Sequence, residues 1–396
     1  MSSWPVSSDT ARRALAGARG AGRSGPDVLD TWARVAWNLL TEPGDGPAGA
    51  LIAECGAAQA LEIAVRGLPA PAHLSADVDR GRERWMPRWR PEGIAEACAA
   101  AARAGVHLIV PGDPSWPAPV DDLGSHRPVV LWVRGSDELL RPAGGAVALV
   151  GARAATGYGE HVAGELAADL AGSGTTVVSG AAYGIDGAAH RAALSVGGTT
   201  LAFLAGGADR PYPAGHSQLI DRIATSGAVI SEAPCGAAPT KWRFLQRNRL
   251  IAAISDATVV VEAGWRSGSL NTAGHAASLG RPLGAVPGPI TSTASAGCHR
   301  LMRDYDARCI TSADDVRELL GWEDGTLLPA VNGNRTDRTT RVMDALSVRA
   351  ERDLTQIARS CGLAPAEVEA ELGILALSGG VERGRSGWRR VASWKR

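Results

Sequence analysis

Positive charge and aromatic rings come together most densely at Lys241-Trp242-Arg243-Phe244-Leu245-Gln246-Arg247-Asn248-Arg249. Four cations and two rings fall within nine residues, and no acidic residue interrupts them. Cations suit phosphate and rings suit stacked bases, so the segment holds the ingredients of a groove for single-stranded nucleic acid. The plainer alternative is a basic helix face beside a sheet. Composition bears on the choice. Lys241 and Lys395 are the only lysines among 41 basic residues, so arginine richness is a property of the whole chain and no phosphate signal in itself. A rare lysine amid glycine-rich loops favours the binding reading.

Those loops have chemistry of their own. Val150-Gly151-Ala152-Arg153-Ala154-Ala155-Thr156-Gly157-Tyr158-Gly159 leaves an apolar run and enters a helix. Free backbone N–H groups, the positive helix end and Arg153 suit an anion there. The spacing is neither GxGxxG nor a Walker A sequence, which speaks against the usual dinucleotide fold and against P-loop hydrolysis. In Ser179-Gly180-Ala181-Ala182-Tyr183-Gly184-Ile185-Asp186, followed by His190, Asp186 and His190 stand four apart and share a helix face. They read as an acid/base pair or as a helix cap and its neighbour. The second reading is preferred because no nucleophile stands at a defined spacing. Asp209 is a catalytic carboxylate or, preferably, an oxygen that fixes a turn. In Val261–Ala273 the run Ser267-Gly268-Ser269 offers hydroxyls and N–H groups to a phosphate, and Glu262 is preferably the acceptor that holds a loop.

The elements that must position these residues alternate. Short apolar runs at Val106–Val110, Val129–Val133, Ala146–Val150, Thr176–Ser179, Thr199–Leu204, Ala228–Ile230, Ala257–Val261 and Leu283–Val286 predict strands. Helical spacing predicts helices over Glu160–Ala171, Ile185–Val196, His216–Thr225 and Leu270–Leu279. Such alternation predicts an α/β, doubly wound, mainly parallel sheet of Rossmann-like type, whose ligands bind at the strand carboxyl ends. Before it, residues 1–104 predict a helical region, with helices over Val28–Leu40, Leu51–Val65 and Pro91–Ala104 and a basic surface loop at Arg80–Arg90. The core spans residues 105–320, and a polar linker covers 321–337. Residues 338–396 predict three helices and a hairpin, the order of a winged helix, ending in a basic tail with Trp388 and Trp394.

Length allows roughly two to three domains. Forty-one acidic residues balance the 41 basic ones, which excludes a globally basic binder and makes any nucleic-acid affinity local. The six cysteines form no CxxC pair and have no His at ligand spacing, so no metal and no cofactor is expected. No apolar run approaches the roughly 18 residues of a membrane span, and the start lacks an apolar signal core. The expectation is a cytoplasmic chain without membrane attachment.

Together the motifs resemble the DprA/Smf family of DNA-processing proteins. The resemblance rests on Gly151-Ala152-Arg153 with Tyr158-Gly159, on Ser179-Gly180 through Asp186 and His190, and on Tyr212-Pro213 and Ser231-Glu232. It continues through Arg247-Asn248-Arg249-Leu250-Ile251-Ala252, Glu262-Ala263, Ser267-Gly268-Ser269-Leu270 with Thr272-Ala273, and Val286-Pro287-Gly288. It covers residues 105–310 densely. It implies a non-enzymatic, sequence-independent single-stranded DNA-binding protein with no catalytic residues. Such a protein forms a homodimer, protects incoming strands in natural transformation and recombination, and loads the RecA recombinase. By the motif match, Arg153, Lys241 and Phe244 meet DNA, Ser179, Gly180, Ser267, Gly268 and Thr272 line the same pocket, and Arg247, Asn248 and Arg249 belong to the DNA-binding set. Departures from the family pattern are Ala152 for a serine, Leu245 for a proline, Cys298-His299 where an asparagine is usual, and Tyr305-Asp306 for a small Gly-Ala pair.

Two other functions stay open at this stage. A nucleotide or nucleoside-monophosphate hydrolase would use Arg153, Glu262 and the Ser267–Thr272 loop, but the compact phosphate loop of such enzymes is absent. A ligand-sensing protein would read duplex DNA through the Ala364–Leu377 helix.

Overall fold

The computed structural model describes residues 6–19, 26–322, 338–377 and 379–391. The chain forms two compact units, Met1–Trp322 and Glu323–Arg396. Most of the expected linker (323–337) and the basic tail from 392, with Trp394 and Lys395, lie outside the described residues.

In the first unit, nine described strands form one sheet: β1 (Val106–Ile109), β2 (Leu131–Gly135), β3 (Ala146–Val150), β4 (Thr176–Ser179), β5 (Thr200–Leu204), β6 (Ala228–Ser231), β7 (Ala257–Val260), β8 (Leu283–Ala285) and β9 (Arg308–Cys309). Their order is β1-β2-β6-β5-β4-β3-β7-β8-β9. From β3 to β9 all neighbours run parallel, and β1 and β2 add an antiparallel edge. Strands β3 to β7 are buried along their whole length, because helices cover both faces and each strand is apolar on both sides. The chain winds outward from β3 to β6, then returns to lay β7 against the other side of β3, with Val147 opposite Ala257 and Val150 opposite Val260. That reversal opens a crevice at the carboxyl ends of β3 and β7. The expected fold class is therefore present. The two-residue β9 and the helices Ala296–Asp304 and Ala313–Leu320 were not among the expected elements, although Ser312 and Asp315 cap the second helix reciprocally.

The N-terminal helices share a core with the antiparallel edge. Trp32, Trp37 and Leu61 belong to one buried cluster with Leu108, Trp132 and Val229, so the expected division at residue 104 is not a gap in packing. Asn38 stitches the two together. Its side-chain N–H donates to the Glu232 carbonyl at 2.7 Å, and its carbonyl accepts the Trp132 indole N–H at 2.9 Å. Arg19 adds a two-pronged pair with buried Asp113, at 2.9 and 2.6 Å.

Two expectations fail here. Leu51–Val65 is not one helix. Gly46–Cys55 and Ala57–Arg66 meet at a 120° bend, where Gly56 has φ +77°, a conformation that favours glycine. No single described helix is long and apolar enough to cross a membrane, although this bent pair reaches the required length and composition together. Arg80–Arg90 is not a surface loop either. Ser75–Trp85 is a helix, and Trp85 is buried edge-on against Trp37 with ring centroids 5.1 Å apart. Its indole N–H donates to Asp45, and Arg82 binds Asp79 at 2.7 Å. The aromatic ring, not the surrounding charge, decides the conformation of this segment.

In the second unit, helices Arg338–Ala345, Leu354–Cys361 and Pro365–Leu377 precede a hairpin of β10 (Val381–Arg383) and β11 (Trp388–Arg390). Val342, Ile357, Val368, Leu372 and Val381 form its core. Asp353 and Gln356 cap the middle helix reciprocally.

Trp37 is fully buried and its indole N–H donates to the Ala57 carbonyl at 3.2 Å. Trp37→Ala is expected to lower the unfolding free energy by about 3–5 kcal/mol in urea denaturation. A loss under about 1 kcal/mol would show that the helices contribute no core to the sheet.

Candidate nucleic-acid interface

The loops that follow β3 to β7 converge on one open groove of about 800 Å³. Arg153 enters from the loop after β3, Tyr212 from the β5–β6 connection, and Lys241 and Phe244 from the helix Lys241–Ile254 that follows β6. Arg266, Ser267, Gly268 and Thr272 enter from the segment after β7. The groove thus sits at the topological switch point, where the fold leaves backbone N–H groups and helix starts unpaired.

The ring of Phe244 is the centre of the site. The Arg153 guanidinium carbon lies 4.7 Å from its centroid, that of Arg247 lies 5.9 Å away, and Tyr212 packs beside it at 5.5 Å. Thr240 caps the helix by accepting the Arg243 N–H, which fixes Lys241 at its first turn on the groove wall. Arg153, Lys241 and Arg266 make no ion pair among the described residues, and all three are exposed. They are free cations around an aromatic ring.

The remaining cations of the basic segment hold structure instead. Arg243 grips Glu42 at 2.9 and 3.1 Å. Arg249 is a correction to the expected DNA-binding set: it is buried, pairs with Glu232 at 2.8 Å and donates to the His126 carbonyl, away from the groove. Arg247 does line the groove, but from below. It is buried, and one amino group donates to the carbonyls of Gly180 at 2.7 Å and Phe203 at 2.6 Å. Burial and the charge of Arg153 lower its pKa to about 10, against the opposing pull of Asp186, so it stays charged at neutral pH. Asn248 receives the Arg247 Nε–H and donates to Asn271 at 3.1 Å, tying this helix to the one after β7.

Ser179 and Gly180 are behind the groove, not on its wall. Ser179 is buried with its hydroxyl donating to the Leu149 carbonyl at 2.6 Å. A Cβ on Gly180 would lie 1.9 Å from the Arg247 guanidinium, so only glycine admits that arginine. The Gly180 and Ala182 N–H groups donate to Asp186, which shapes the loop ahead of its own helix instead of capping that helix. Burial raises the Asp186 pKa, and Arg247 opposes that rise.

The other carboxylates are also engaged. Glu262 accepts both the Thr156 hydroxyl at 2.6 Å and the Thr156 N–H at 2.9 Å, clamping the loop that carries Arg153. Asp209 accepts the Gly236 N–H and so joins the loops after β5 and β6. His190 bonds Thr200, not Asp186. Of the family departures, Leu245 faces the groove, and His299 bonds the Gly288 carbonyl. Burial pushes the Cys298 thiol up to about 12. Asp306, at the alanine position of that pair, takes φ +53°, a left-handed conformation that aspartate adopts more readily than most side chains. Sequence reasoning left Arg266 and Tyr212 out of the site. Arg266 precedes Ser267-Gly268 at the carboxyl end of a strand, a position that signals it, whereas Tyr212 is brought in only by the path of a long connection.

The family model for DNA recombination-mediator protein A matches residues 107–321, more than half of the chain. The chain belongs to this family. A DNA processing protein DprA of Mycobacterium tuberculosis (strain H37Rv) is 48% identical over 306 residues, covering 72% of this chain and 77% of the relative. The solved DNA processing protein A of Streptococcus pneumoniae is similar at 30% identity and a TM-score of 0.60, covering 72% of this chain and 95% of that one. That of Helicobacter pylori, solved for its single-stranded DNA binding mode, matches at 29% identity and a TM-score of 0.50, over 55% of this chain and 96% of that one. The groove described above lies inside the residues that define the family.

His190 carries a pH signature for this scaffold. Its Nδ1 donates to Thr200, whose hydroxyl donates to the Val177 carbonyl, while Nε2 is buried with no hydrogen-bond partner. Burial, with the nearby charges of His216, Arg247 and Arg191, lowers its pKa to about 3. Below pH 6.5 the unfolded chain takes up a proton that the folded chain refuses, so stability present above pH 6.5 is lost as pH falls toward 3. Between pH 7 and pH 5 the native protein is expected to lose about 2 kcal/mol more than His190→Gln in denaturant titrations. Parallel losses in the two proteins would show that His190 does not titrate this way.

Proposed function

We propose that the groove binds single-stranded DNA without sequence preference, and that the chain works as a non-enzymatic recombination mediator. The observation that carries this reading is the set of three free cations, Arg153, Lys241 and Arg266, around the Phe244 ring in an open groove. Phosphates meet the cations while a base stacks on the ring, a mode indifferent to base identity. Membership of the family and the single-stranded DNA binding mode of the Helicobacter pylori relative support it. In this reading the protein protects single strands during transformation or recombination, acts as a homodimer and delivers the strand to a RecA-type recombinase. The carboxylates support a binding role over hydrolysis: Glu262 is engaged by the Thr156 N–H and hydroxyl, and Asp186 by the Gly180 and Ala182 N–H groups. The helices Arg338–Ala345, Leu354–Cys361 and Pro365–Leu377 with the β10–β11 hairpin have the order of a winged helix, which serves as an accessory unit.

The test is fluorescence anisotropy with labelled poly-dT and a matched duplex at two salt concentrations. Wild type is expected to prefer the single strand and to weaken as salt rises. Arg153→Ala and Lys241→Ala are each expected to lose about tenfold or more in affinity, the cost of one charged phosphate contact. Binding indifferent to both substitutions would overturn the site. Duplex preference, or release of product from AMP, would favour the sensor or hydrolase readings.

A further inference from the structure

The loop after β7 carries a tryptophan that the groove itself does not use, and the helix Ala296–Asp304 brings a cation and a second ring to it. Gly264 and Arg266 line the groove, so Trp265 between them stands at its edge, one residue spacing from either wall position. Trp265 is 56% exposed. The Arg300 guanidinium carbon lies 5.3 Å from the centre of its ring and 5.9 Å from the ring of Tyr305, which is itself partly exposed. A single exposed tryptophan needs no explanation. A tryptophan braced by a cation that also touches a second ring, beside a groove of free cations, is a different arrangement.

The support of this cluster is rigid. Arg300 belongs to the helix Ala296–Asp304, whose Gly297 N–H donates to the Ala263 carbonyl at 2.7 Å, while the Ala263 N–H donates to the Ala294 carbonyl at 2.8 Å. A Cβ on Gly297 would lie 2.7 Å from Ala263, so the helix start and the loop that bears Trp265 are in direct backbone contact. The charge of Arg300 is only loosely balanced. Asp304 lies 3.6 Å away and is held more closely by Arg303, at 2.7 Å. The cation fixes the orientation of the indole and leaves positive potential at its side, which suits a base with its phosphate attached.

We propose that Trp265, braced by Arg300 and Tyr305, is a second stacking subsite, occupied by a base of the strand as it leaves the groove. The proposal rests on the single-strand reading above. It sets the direction of the strand's path: from the Phe244 ring, past Arg266, and over the indole. Because the subsite lies outside the groove, it contributes only to strands longer than the groove can hold.

Two measurements test it. In the first, affinities for an oligo-dT series of increasing length are compared for wild type, Trp265→Ala, Trp265→Phe, Arg300→Ala and Lys241→Ala. Wild type is expected to gain affinity as the strand outgrows the groove. Trp265→Ala is expected to lose that gain, at least about fivefold, while binding the shortest oligonucleotides as wild type does. Trp265→Phe keeps most of the gain, and Arg300→Ala loses part of it. In the second, oligonucleotides carrying 5-iododeoxyuridine are photo-crosslinked and mapped by mass spectrometry, and a crosslink on the peptide that holds Trp265 is expected. Wild-type-like behaviour of Trp265→Ala at every length, with Lys241→Ala weak throughout, overturns the subsite and leaves the groove standing. Crosslinks confined to Phe244 and Tyr212 do the same. Failure of wild type to bind oligo-dT at all overturns both.

Discussion

The site depends on one buried cation. Arg247 reaches under the groove and donates to the carbonyls of Gly180 and Phe203, from the loop after β4 and the carboxyl end of β5. Those carbonyls would otherwise be stranded in a water-poor pocket, where an unpaired polar group costs about 1–3 kcal/mol. The same guanidinium lies beneath Phe244, and its neighbour Asn248 links to Asn271 on the next helix. A charge that deep persists because Asp186 lies close, and Asp186 in turn draws the Gly180 and Ala182 N–H groups to itself. The floor of the groove is therefore a closed polar network, and the ring above it is held before any ligand arrives.

A division among the arginines and the lysine follows from this. The fold consumes the charges of Arg243, Arg247 and Arg249, through Glu42, two carbonyls and Glu232 respectively. Two of these pairs also join distant parts of the chain. Arg243 reaches the N-terminal helices at Glu42, and Arg249 and Glu232 meet beside the Glu232 carbonyl that Asn38 binds. Removing one partner of a buried pair such as Arg249–Glu232 costs about 3–5 kcal/mol, because the other charge is left uncompensated. Arg153, Lys241 and Arg266 are left for a ligand. A chain with no net charge can thus present a positive groove without a positive surface.

The fold was legible in the sequence wherever one physical rule dominated. Strands β3 to β8 announced themselves as apolar runs because a sheet covered on both faces permits little else. The site was legible in outline, since glycine-rich turns at strand ends and a basic aromatic segment have few other uses. The assignment of individual cations was not. Lys241 and Arg249 stand eight positions apart in one helix and read alike, yet one meets solvent and the other meets Glu232, a residue whose approach is set by the tertiary fold. The same limit explains Arg80–Arg90. Its charges suggested a solvated loop, but Trp85 had a buried place waiting beside Trp37. Ser179 ends β4 and Gly180 opens the loop that follows, and both lie behind the groove, a distinction that spacing does not encode.

In the single-strand reading, free cations bind the strand and paired cations hold the fold. The slope of log affinity against log salt for poly-dT separates the two groups of cations, with Lys241→Ala and Arg243→Ala measured beside wild type. A slope shallower by about 0.7 is expected for Lys241→Ala, one phosphate contact on a single strand, and an unchanged slope for Arg243→Ala. If Arg243→Ala flattens the slope as much as Lys241→Ala does, the paired arginines also meet the strand, and the division is wrong.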